Sequence, residues 1–108
     1  MPAGGEDRAR SFFASILEMA ELEKPDSLAA SGCWFESAGV QIHVGADPDF
    51  VPAGKAHPAL RVTGLDDLAA LLAAKGYPVD WDDRLPGIRR CFTRDPFGNR
   101  IELMEAAG

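Results

Sequence analysis

Apolar positions recur at helical spacing in two stretches of the chain. In GEDRARSFFASILEMAE (residues 5–21), Ala9, Phe12, Phe13, Ile16, Leu17 and Ala20 share one face, which predicts a helix with Glu6 and Asp7 in its first turn. In LDDLAALLAAK (65–75), Leu65, Leu68, Leu71 and Leu72 repeat the pattern, and Gly76 and Pro78 stop it. Elsewhere the polar and apolar residues alternate as they do in strands. SGCWFES (31–37) and GVQIHVG (39–45) follow the first helix. HPALRV (57–62) precedes the second, and GIRRCFTRD (87–95) and NRIELME (99–105) follow it. DPFG (95–98) reads as a turn, since Asp bonds nearby backbone, Pro fixes φ and Gly tolerates positive φ. ADPDFVPAGKA (46–56) reads as a linker between two halves, 1–45 and 57–108.

The halves repeat. A shift of 59 positions lays Gly5 on Gly64, Asp7 on Asp66, Phe12 and Phe13 on Leu71 and Leu72, and Ile42 on Ile101. It also lays His43 on Glu102. Helix, loop, strand, turn, strand occurs twice. Only the second half opens with an extra strand, HPALRV; the counterpart of His57 would fall near position −2, ahead of Met1. The first half is therefore expected to lack its first strand.

Strand parity separates faces. Val40, Ile42 and Val44 oppose Gln41 and His43; Ile101 and Leu103 oppose Arg100, Glu102 and Met104; Leu60 and Val62 oppose His57, Ala59 and Arg61. With the apolar faces under the helices, the polar faces form a second surface carrying His43, His57 and Glu102. These side chains are expected to converge. Two imidazoles and a carboxylate with open positions suit a divalent first-row ion: Zn, Ni, Mn or Fe. Glu102 is also the candidate catalytic residue. Arg61, Arg100, Trp34 and Phe92 are candidate substrate contacts, with surface ion pairs for the arginines and core packing for the aromatics as the plainer roles. Each site residue has a plainer role as well, a polar side chain on a solvated face.

Composition narrows the partners. The 108 residues are 46% hydrophobic and 26% charged, in the range of a folded domain. The net charge of −6, with RLPGIRR (84–90) directly behind DWDD (80–83), disfavours nucleic acid and anionic membrane surfaces. The longest apolar run, LAALLAA (68–74), is too short to span a bilayer, and MPAGGEDRAR has no signal-peptide core. A cytoplasmic protein follows, with Cys33 and Cys91 as reduced thiols in the core and DWDD as a solvated loop.

AHPAL, TRDPFGNRIELME and the paired halves resemble the vicinal oxygen chelate superfamily, which includes glyoxalase I, fosfomycin-resistance proteins, extradiol dioxygenases and bleomycin-binding proteins. The resemblance covers nearly the whole chain. It implies an α+β fold of two βαβββ modules forming a curved half-barrel, here without the first strand of module one. It further implies that His57 and Glu102 are the first- and last-strand ligands of module two and His43 the last-strand ligand of module one. The first-strand histidine of module one has no counterpart. A metal-dependent lyase, isomerase or dioxygenase acting on a small oxygen-rich molecule is the leading expectation. A metal-free drug-binding module and a degenerate scaffold are the alternatives. A homodimer is expected, with a second copy covering the open edge of GVQIHVG.

Overall fold

The first amphipathic stretch forms an α-helix, α1 (Glu6–Ala9), that continues as a π-helix over Arg10–Ile16, in a computed structural model that describes residues 1–106. Its hydrogen bonds there span five residues, as from Leu17 N–H to the Phe12 carbonyl at 3.0 Å. Adjacent Phe12 and Phe13 are both buried, with rings 5.0 Å apart edge to face, and Phe13 stacks on Phe35 at 5.4 Å. The helix ends well before residue 21. Glu18 takes a left-handed φ of 58°, and Ala20–Leu22 forms strand β1, which pairs antiparallel with β2 (Cys33–Ser37). β2 pairs in turn with β3 (Val40–Val44), giving a sheet ordered β1-β2-β3. Cys33 and Phe35 point from β2 into the core beneath the helix.

The chain divides into Met1–Val51 and Pro52–Gly108. The second unit is a full βαβββ module: β4 (Ala59–Arg61), α2 (Leu65–Ala74), β5 (Asp80–Asp82), β6 (Ile88–Arg94) and β7 (Arg100–Ala106). Its sheet is ordered β4-β7-β6-β5, with β4 parallel to β7 and the other pairs antiparallel. α2 packs on β7, and Leu65, Ala69 and Leu72 are buried with Cys91, Ile101 and Leu103. β5 falls on DWDD, which is thus a strand and not a loop; Arg84 and Arg90 pair with Asp82, and Arg89 lies 4.2 Å over the exposed Trp81 ring. The first unit holds αβββ, and among the described residues no strand precedes α1. Cys33 and Cys91 are buried and free, and burial pushes both thiols up from their ordinary range. No helix among the described residues is long and apolar enough to cross a membrane.

One glycine is held by both conformation and space. Gly32 has φ +86°, and a Cβ there would stand 2.6 Å from the Val44 carbonyl oxygen. Gly39 has a similar φ of +81° but open surroundings. Gly32→Ala is therefore expected to destabilise by roughly 1–3 kcal/mol, and Gly39→Ala by about 1 kcal/mol, in urea unfolding. Equal losses would show that the Val44 contact contributes nothing.

Candidate functional site

Glu102 sits in the middle of β7, between Ala59 of β4 and Phe92 of β6. It lies on the face opposite Ile101 and Leu103, as alternation requires. It is not a solvated carboxylate: only 7% of it is exposed. Its Oε1 lies 3.0 Å from His57 Nε2, and its Oε2 accepts from Arg90 Nη1 at 3.2 Å. Arg90 Nη2 also pairs with Asp82 Oδ1 at 3.3 Å, across the β5–β6 ladder. His57 Nδ1 is 2.7 Å from the Lys55 carbonyl. Phe92 forms the floor of this group. The His57 ring meets it edge-on at 5.6 Å, and the Arg90 and Arg100 guanidinium carbons lie 5.3 and 4.0 Å over it.

Burial pushes the Glu102 carboxyl up, but the hydrogen bonds from His57 and Arg90, with the Arg90 charge, outweigh it. They hold the group below its ordinary value of 4.5, so it is a carboxylate near neutrality. A carbonyl only accepts, so Nδ1 carries a hydrogen toward Lys55; Nε2 then donates to Glu102 when the ring holds both hydrogens, and turns its lone pair toward Glu102 when it holds one. A lone pair and a carboxylate oxygen 3.0 Å apart repel unless a proton or a cation lies between them. Two donors at this spacing match neighbouring ligands of one ion at about 2.0–2.2 Å, and the Lys55 contact is the kind of outer bond that orients a ligating histidine. His57 and Glu102 thus fit two positions of a metal site. Arg90 competes for the same charge.

His43 belongs to the first unit. It lies opposite Trp34 on β2, and the two rings stack at 3.7 Å and 3°. Its Nε2 is 2.9 Å from Gln41 Oε1. The structure therefore groups His57 with Glu102, and His43 with Trp34 and Gln41. Among the described residues, no three His, Cys, Asp or Glu side chains form a group able to hold a metal ion. Arg61 is exposed on β4. Arg90 was hidden in the sequence within a basic run, although parity with Phe92 places it on the Glu102 side of β6.

The sequence matches no family model and no curated protein. Solved structures do match. A glyoxalase family protein from Bacillus anthracis superposes with a TM-score of 0.93 at 40% identity, over 99% of this chain and 88% of that one. The fosfomycin resistance protein FosX from Listeria monocytogenes superposes with a TM-score of 0.76 at 17% identity, over 94% and 84%. Lactoylglutathione lyase from Agrobacterium tumefaciens superposes with a TM-score of 0.72 at 20% identity, over 97% and 88%. At these lower identities the likeness is one of fold.

Proposed function

The chain belongs to the glyoxalase family, within the vicinal oxygen chelate superfamily, and on that premise we propose that it binds a divalent metal ion through His57 and Glu102 and acts on a small oxygen-rich molecule. The observation that carries this reading is the 3.0 Å approach of His57 Nε2 to Glu102 Oε1, with Nδ1 engaged by Lys55. When bound, a divalent ion supplies Lewis acidity to substrate oxygens, which favours lyase, isomerase or dioxygenase chemistry. The rest falls to the chain. Lys55 fixes the ring that presents Nε2. Arg90 orients Oε2 and keeps Glu102 ionised, which suits a ligand better than a proton acceptor. Arg100, over Phe92, brings a second cation beside the same floor, where it can meet an anionic substrate oxygen.

A second reading has its own support. Arg90 already neutralises Glu102, and the flat Trp34–His43 stack offers a platform for a planar ligand held without metal. Titration calorimetry of the protein with Zn²⁺ and with Ni²⁺ separates the two. Binding tighter than millimolar is expected; no heat at millimolar ion overturns the metal reading in favour of the second.

A further inference from the structure

Arg10, Arg84, Arg89 and Arg90 each pair with one carboxylate or two. Arg94 and Arg100 pair with none among the described residues, although the chain carries a net charge of −6. Yet the two stand directly opposite each other on β6 and β7. Side chains so placed have Cβ atoms about 4.5–5.5 Å apart, and like charges there repel. Arg94 is exposed and gives one N–H, from Nη1, to the Gly98 carbonyl at 3.0 Å. Arg100 is half-buried. Its guanidinium carbon lies 4.0 Å over the Phe92 ring, and it makes no hydrogen bond among the described residues. A guanidinium laid on an aromatic ring keeps its N–H groups in the plane of the fork, directed outward from the stack. Two such forks side by side are short of an acceptor.

The pair lies beside His57 and Glu102. The sheet sets side chains in rows across its strands, and Glu102 shares a row with Ala59 and Phe92. The next row on the same face holds Arg94 and Arg100, and the parallel register carried back two residues from Ala59 brings His57 beside Arg100. Arg100 therefore neighbours His57 across about 4.8 Å of strand spacing, and Glu102 along about 6.5–7 Å of strand. The carboxylates of this face are otherwise engaged or distant. Glu102 is held by His57 and Arg90, Asp82 by Arg84 and Arg90, and Asp80 stands on β5, with β6 between it and β7. We propose that Arg94 and Arg100 form a binding site for an oxyanion, the carboxylate or phosphate group of a small acid. A guanidinium matches paired oxygens with two parallel N–H bonds, and a second cation facing the first favours a full negative charge between them. That this oxyanion is the charged end of the substrate rests on the metal-binding role proposed for His57 and Glu102; the anion site itself does not. With that role, the substrate is an organic acid or a phosphate ester whose charged group lies close to the oxygens that meet His57 and Glu102. A neutral dicarbonyl or a phenol would leave both forks empty.

The probes are inorganic phosphate and acetate. Each is titrated at low salt into the whole protein, stripped of metal by a chelator and dialysed, while the arginine Nε–Hε resonances are followed by NMR. Those of Arg94 and Arg100 are expected to shift together and saturate, with a dissociation constant of about a millimolar for the better anion. Tighter phosphate marks a phosphate ester as the source of the oxyanion, and tighter acetate a carboxylic acid. Arg61, exposed on β4 opposite Met104, should not move. Arg94→Gln and Arg100→Gln are each expected to weaken binding by about tenfold or more, the loss of a hydrogen bond between charged groups. Arg100→Lys keeps the charge without the fork and is expected to weaken it as well. No saturable shift with either anion at tens of millimolar overturns the proposal. So do equal shifts at Arg61, Arg94 and Arg100, the mark of diffuse screening instead of a site. Because metal is absent throughout, either failure leaves the Zn²⁺ and Ni²⁺ calorimetry to judge His57 and Glu102 separately.

Discussion

Replacing Glu102 by alanine is expected to cost about 3–5 kcal/mol of stability, because it strips one partner from a buried ion pair and leaves the other. Arg90 is the group left behind. Its side chain is 18% exposed, its Nε has no hydrogen-bond partner among the described residues, and only Asp82 would still oppose its charge. Glu102→Gln keeps the shape and one acceptor oxygen, so a smaller loss is expected in urea unfolding. The pair of variants then isolates the metal reading. A ligand that binds only the folded state stabilises it by about 2.7 kcal/mol at one hundred times its dissociation constant. Wild type should therefore melt higher in Zn²⁺ or Ni²⁺. Losing a carboxylate ligand should weaken binding by at least about a hundredfold, more than outer-contact losses usually do, and remove that rise in Glu102→Gln. A glutamine variant that melts higher in metal by as much as wild type would take Glu102 out of the site, whatever its part in stability.

The long strands and α2 were legible because each carries enough residues for its period to show. Leu65, Leu72, Ile101 and Leu103 are buried as their spacing requires. β1 and β5 were not legible. Ala20–Leu22 and Asp80–Asp82 are too short to alternate convincingly, and each is defined by a neighbour distant in sequence, Trp34–Glu36 or Arg90–Phe92. The end of the first helix depends on the positive φ of Glu18, which no residue type there announces. Within the site, parity put His57 and Glu102 on one face. The burial of Glu102 is a different matter, since it is tolerable only with Arg90 and His57 against its oxygens.

Asp95→Ala is expected to destabilise by about 2–5 kcal/mol, because it orphans two backbone N–H groups at about 1–3 kcal/mol each. Asp95 is 6% exposed, and its Oδ1 accepts from Phe97 N–H at 2.9 Å and Asn99 N–H at 2.8 Å. Its Oδ2 accepts from Asn99 Nδ2 at 2.8 Å. Its backbone closes the same turn, with Asp95 N–H on the Asn99 carbonyl and Gly98 N–H on the Asp95 carbonyl. DPFGN is thus a clasp between β6 and β7. Its link to function is register. The turn sets Arg94 opposite Arg100, and hence Phe92 opposite Glu102. A slip of one residue would drive Glu102 toward α2 and Leu103 into the site. Asp95→Asn keeps an Oδ1-type acceptor but sets an amide donor against Asn99 Nδ2, so about 1–2 kcal/mol is expected there. Urea unfolding measures both variants. A loss under 1 kcal/mol for alanine would mean that the main-chain bonds alone hold the turn, and that the register of Glu102 rests on the strands instead.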